Sequence, residues 1–189
     1  MPNEVNIVSG LPRSGTSMMM QMLVAGGLPP MTDNVRTADD DNPKGYYEFE
    51  AVKKTKTDSS WLADAPGKIV KMVHILLYDL PSTSSYRVVF MRRELKEVVS
   101  SQSIMLERRG TDGANLSQEQ LIAAYQDQLM KIETWLAEQE NFSVLKVNYN
   151  ELLNDPTAST AQINEFFQGR LDAAAMNGVV DPTLYRQRC

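Results

Sequence analysis

Apolar and polar positions along the chain alternate between two periods. Residues 5–8 (VNIV) form a short β-branched run that ends in Ser9-Gly10, the pattern of a buried strand feeding a tight turn. From residue 15 to about 25 the spacing becomes helical: Met18, Met22 and Ala25 recur on one face, with Met19 and Leu23 beside them. Gly26-Gly27 and Pro29-Pro30 stop that helix. Apolar runs at 69–77, 86–91 (YRVVFM) and 142–147 each have the length of a buried strand. Between and after them, helices are expected over 94–107, with Leu95, Val98, Val99 and Met105 inward, and again from Ser117 onward. Ser117 with Gln120 has the spacing of a capping box. A further helix follows Asp155-Pro156 and runs through Phe167, while 111–115 reads as a turn. Strands alternating with helices predict an α/β fold, a mainly parallel sheet flanked by helices, with ligands at the C-terminal edge of the strands.

Length and composition narrow the classes. A chain of 189 residues that is 42% hydrophobic suits a single domain over 1–189 with a sizeable core. A formal charge of −5 argues against nucleic acid or an anionic membrane as partner, so any anionic ligand needs a local cluster of cations. The one cysteine, Cys189, leaves no intrachain disulfide. No stretch suggests a signal peptide or a membrane span, and a cytoplasmic location is the plain expectation. Residues 32–44 are acidic and polar and read as a mobile loop, a candidate lid.

The chemistry concentrates in VSGLPRSGTS, residues 8–17. Gly10 and Gly15 keep the spacing of the nucleotide-triphosphate loop G-x-x-x-x-G-K-[ST], with Ser17 in place, yet Thr16 stands where the lysine belongs and Arg13 lies inside the loop. A kinase using ATP and magnesium also wants an acidic residue at a strand end, and YRVVFM runs instead into Arg92-Arg93. The expected chemistry is anion binding without a metal. A P-loop kinase is one rival reading; a non-catalytic nucleotide-binding module is another.

PRSGTS (12–17) after a hydrophobic strand resembles the 5′-phosphosulfate loop, P-[KR]-[ST]-G-[ST]-[ST], of sulfotransferases that use 3′-phosphoadenosine 5′-phosphosulfate (PAPS). RELKEVVSS (93–101) is similar to that family's R-D-P-R-D-V-x-x-S element, with Glu94 for Asp and Leu95 for Pro. Arg92 with Ser100 has the same spacing as Arg93 with Ser101, so both registers stay open. Tyr149, Leu152, Asp155 and Pro156 match a third element, Y-x-x-L-x-x-D-P.

The resemblance implies a three-layer fold related to P-loop kinases, and transfer of a sulfuryl group from PAPS to a hydroxyl or amine of a small-molecule, glycan or peptide acceptor. Backbone N–H groups of Gly15 to Ser17, with the hydroxyls of Ser14, Thr16 and Ser17, would hold the sulfate-bearing end. Arg13 would stabilise charge growing on the departing oxygen; arginine stays protonated, so it would not act as an acid. Arg93 and Ser101 would grip the 3′-phosphate, Tyr149 would contact adenine, and Arg186 and Arg188 would close the anion site or form a solvated tail. For the base, the family offers a K-x-H histidine, here Lys71 and His74 one residue further apart, or a glutamate after the loop, here Glu48. Glu48 leads, His74 follows and Glu50 is third. The modest length suggests an open site, a lid, or a second subunit, so a homo-oligomer is open.

Overall fold

The computed structural model describes residues 4–33, 45, 47–108, 110 and 116–180. The candidate lid from residue 34 onward to 44, the turn 111–115, and Arg186, Arg188 and Cys189 lie outside the described residues. Among the described residues four parallel strands form one sheet: β1 (Glu4–Gly10), β2 (Ile69–Lys71), β3 (Ser85–Arg92) and β4 (Phe142–Asn148), in the order β2-β1-β3-β4. Among the described residues six α-helices accompany it: α1 (Thr16–Ala25), α2 (Leu95–Arg108), α3 (Gln118–Ala137), α4 (Tyr149–Asn154), α5 (Pro156–Phe166) and α6 (Ala173–Val179).

The period-2 alternation of the central strands divides the core into two layers. Val5 and Ile7 of β1 and Tyr86, Val88 and Phe90 of β3 pack with Val98 of α2 and Leu129, Ile132 and Leu136 of α3. On the opposite face, Val8, Val89 and Met91 meet Met19, Met20, Met22 and Leu23 of α1, with Leu152, Ile163 and Met176 of the last three helices. The methionines of α1 are therefore core, filling the irregular gap between one short helix and three others.

The capping box forms as expected: Ser117 Oγ accepts from the Gln120 N–H and Gln120 Oε1 accepts from the Ser117 N–H. Asp155 caps α5 with its side chain on the Ala158 N–H, and proline at the first helical position fits a site with no N–H to lose.

The apolar run 69–77 is not one strand. β2 ends at Lys71, opposite Val8, although β1 runs on to Gly10 and the Met72 N–H still donates to the Val8 carbonyl at 3.0 Å. The chain winds instead into a 3-10 turn, His74–Asp79, and buries every third residue, His74, Leu77 and Leu80.

Candidate active site

Two strand ends form the crevice. From β1 the chain crosses through α1 to β2 on one side; from β3 it crosses through α2 and α3 to β4 on the other. Neighbouring strands whose connections diverge leave a cleft at their C-terminal edge, here between the loop after β1 and the turn after β3. The register aligns these ends: Gly10 lies opposite Met91, and Arg92 opposite Asn148. Arg93 and Tyr149, the residues that follow β3 and β4, therefore step over the edge together.

The loop is shaped by its own atoms. At Gly10 (φ +148°) an added Cβ would lie 2.7 Å from the Met91 carbonyl oxygen and 2.7 Å from Ser14 Oγ. The Leu11 carbonyl accepts both the Ser14 N–H at 3.2 Å and the Ser14 hydroxyl at 2.7 Å, so that hydroxyl closes the turn. Arg13 is left-handed (φ +69°), as is Gly15 (φ +95°), the cap residue of α1. Gly15 brings no side chain to the cap, so the positive end of α1 is presented by backbone.

Cations converge on that helix start from three strand ends. Arg13 Nε donates to Ser101 Oγ on α2 at 2.9 Å. Arg93 Nη1 donates to the Arg13 carbonyl at 3.0 Å, its Nε to Glu97 Oε2 at 2.9 Å, and its guanidinium lies 4.6 Å from the Tyr149 ring centroid. Lys71, at the end of β2, reaches Ser17 Oγ at 3.5 Å. Tyr149 is buried against Gly15; burial pushes its phenol above the ordinary value, Arg93 and Arg13 pull it back in part, and Glu97 adds to the rise. The geometry is an anion cradle with a second cationic corner beside it.

The model of the sulfotransferase domain family matches residues 4–187. The chain belongs to the sulfotransferase family. Two of the solved structures that share its fold illustrate the likeness. One is a sulfotransferase domain from the curacin biosynthetic pathway, with a TM-score of 0.50 and 14% identity, covering 100% of this chain and 92% of that one. The other is retinol dehydratase in complex with androsterone and the inactive cofactor PAP, with a TM-score of 0.54 and 16% identity, covering 95% of this chain and 63% of that one. No curated protein sequence matches the chain. The activity class is that of a sulfotransferase.

The sulfotransferase brings Arg13, Gly15, Ser17, Arg93, Ser101 and Tyr149 together, and Thr16 opens α1 beside them. Arg92 goes elsewhere: its guanidinium pairs with Glu133 of α3, which also takes Lys146 Nζ at 2.6 Å. Arg93 with Ser101 is thus the register that meets the loop. Lys71 was visible in the sequence only as the lysine before His74. Its reach to the loop follows from strand order, because β2 lies beside β1 although 58 residues of intervening chain (11–68) separate them.

The three candidate bases part company. Residues 29–33 run along β2 with a parallel bridge from Pro30 to Ile69 and a Met31 N–H to Ile69 carbonyl bond of 2.8 Å. The Glu48 carbonyl accepts the Thr32 hydroxyl at 3.0 Å, which holds Glu48, half-buried, at the same edge as Lys71. Glu50 is exposed and pairs with Lys53 at 2.5 Å. His74 is buried, with Nε2 at 3.2 Å from Gln128 Oε1 and no hydrogen-bond partner for Nδ1 among the described residues.

Burial pushes the His74 imidazole below its ordinary value of 6.5, offset in part by the hydrogen bond with Gln128. A histidine buried neutral binds fewer protons folded than unfolded. It therefore favours the fold above the ordinary value, and that contribution is lost as pH falls from about 6.5 through the lower folded value. His74 is the only histidine of the chain. NMR of a tag-free, histidine-labelled sample should show one imidazole titrating below 6.5, and a midpoint at or above 6.5 would contradict the burial argument.

Proposed function

We propose that this sulfotransferase, acting as one domain over residues 1–189, moves a sulfuryl group from PAPS to a hydroxyl or amine of an acceptor. The observation that supports this most is the cradle itself: a glycine-led helix start with Arg13 and Lys71 beside it and Arg93 at the adjoining strand end. PAPS fits such a donor set, since it has a phosphosulfate for the helix end and a separate 3′-phosphate for a second cationic corner. When bound, PAPS supplies an activated sulfuryl group on a phosphate leaving group.

The chain's residues divide the work. Backbone N–H groups from Gly15 to Ser17 hold the phosphosulfate end, and Lys71 adds a point charge on the β2 side. Arg13 offsets negative charge on the bridging oxygen as its bond to sulfur breaks, and Ser101 holds the Arg13 side chain while serving the 3′-phosphate corner with Arg93. Glu48 takes the proton that the acceptor oxygen or nitrogen releases as it bonds to sulfur. His74 is the second choice as base, because its Nε2 is turned to Gln128 and its Nδ1 is buried. Tyr149, packed under Arg93 and over Gly15, borders the adenine side of the cradle.

Calorimetry with 3′,5′-phosphoadenosine, 5′-AMP and ATP–magnesium tests the donor. The bisphosphate should bind at least about tenfold more tightly than 5′-AMP, the scale of one charge-assisted contact. Equal binding of the two, or preference for ATP–magnesium, would restore the kinase reading. The lysine-free loop and the arginine pair that ends β3 favour binding of the anion without a metal, so added EDTA should leave bisphosphate affinity unchanged. Transfer of labelled sulfate from PAPS to a panel of phenols, amines, sugars and peptides then separates an enzyme from a binding module. No helix among the described residues is long and apolar enough to cross a membrane. We place the activity in the cytoplasm and leave a homo-oligomer open.

A further inference from the structure

Arg93 is held on several sides, and the residues that hold it form a closed ring. Its Nε donates to Glu97 Oε2 at 2.9 Å, four residues along α2, and its Nη1 donates to the Arg13 carbonyl at 3.0 Å. Glu97 is 2% exposed, a buried carboxylate in a chain that otherwise leaves most acids at the surface. Its second oxygen accepts from Asn150 Nδ2 at 3.0 Å, and Asn150 Oδ1 accepts the Glu94 N–H at 3.2 Å. The Asn150 N–H is itself held by Asn148 Oδ1 at 2.9 Å, which anchors α4 at the end of β4. The ring therefore links the loop after β1, the turn after β3, α2 and the β4–α4 junction, and it pins the carbonyl of left-handed Arg13.

A buried ion pair is a poor source of net stability but a strong geometric constraint, because each charge must be matched where it lies. We propose that Glu97 and Asn150 are positioning residues for the nucleotide donor: they fix the direction of the Arg93 guanidinium and, through the Arg13 carbonyl, join recognition of a 3′-phosphate to the shape of the phosphosulfate loop. This rests on the reading that Arg93 faces the donor's 3′-phosphate. Glu97 serves as counter-charge as well as clamp. It keeps a guanidinium this buried from attracting any anion indiscriminately, so only a phosphate at the right place and angle gains from it.

The test is discrimination rather than affinity alone. Glu97→Gln keeps the shape and removes the charge. The ratio of 3′,5′-phosphoadenosine to 5′-AMP affinity should fall by about tenfold, the scale of one charge-assisted bond, while 5′-AMP affinity stays within about twofold. Asn150→Ala, at a half-buried site, leaves the Arg93–Glu97 pair but frees it from α4, and should lower the same ratio by a smaller factor. Circular dichroism melts confirm that each variant is folded. An unchanged ratio in either folded variant, or an equal loss of both nucleotides, overturns the proposal and leaves a merely structural ion pair. If the unmodified chain shows no 3′-phosphate preference, the donor reading fails instead, which the wild-type titration reveals on its own.

Discussion

Replacing Gly15 by alanine should abolish donor binding while leaving the chain folded. The new Cβ would lie 2.3 Å from Tyr149 Cδ2 and 2.8 Å from its Cε2, well inside contact distance, and the ring cannot retreat freely because Arg93 lies across it. Forcing a methyl group into such a site costs about 1–3 kcal/mol. The left-handed backbone (φ +95°) adds about 1 kcal/mol for a residue with a side chain. Relief comes most cheaply by moving the loop itself, which turns the helix end away from the anion. Gly27 supplies the control, since it is also left-handed (φ +107°) but nothing lies within 4 Å of its would-be Cβ. Gly27→Ala should cost only the backbone strain and leave nucleotide affinity intact. If calorimetry finds Gly15→Ala binding 3′,5′-phosphoadenosine as tightly as the parent, the packing account of the loop is wrong.

Arg13→Ala should lower kcat by about 10²–10³ with a smaller change in KM for PAPS, the scale of losing one preorganised charge on the departing oxygen. The residue is placed for this by a left-handed backbone (φ +69°) and by the 2.9 Å bond from Nε to Ser101. Arg13→Lys keeps the charge but loses the fork that engages Ser101, and should recover only part of the rate. Ser101→Ala should fall between the two. A rise in KM alone, with kcat unchanged, would make Arg13 a binding residue and remove it from the transfer step.

Much of this arrangement is legible along the chain because it is local. The glycine spacing at 10 and 15, the strand before it and the helical methionines after it lie within one βα unit, and the observed β1 and α1 match them to within a residue or two. The capping box at Ser117 and the Asp155-Pro156 start of α5 are likewise short-range patterns with a single geometric solution. The run 69–77 misleads because an apolar run alone does not separate a strand from a buried turn: only 69–71 pair with β1, and His74–Asp79 winds into a 3-10 turn. Arg92 and Arg93 are indistinguishable by spacing. They separate only because consecutive residues at a strand end point to opposite sides, one toward Glu133 and one toward the loop. Glu97 gives no signal as a buried acid, since its hydrogen-bond partners Arg93 and Asn150 lie 4 and 53 residues away.

By itself, then, the sequence determined that a parallel α/β chain carries a lysine-free anion loop with a second basic strand end, and three matching elements assign it to the sulfotransferases. Tertiary structure decided which cations reach that loop: Lys71 through the β2–β1 pairing, Arg93 through the β1–β3 crevice, and Arg13 through Ser101. The physical reason is range. Turn, cap and helix preferences act over a few residues, whereas a site at a switch point is assembled from strand order and register, which only the closed sheet defines.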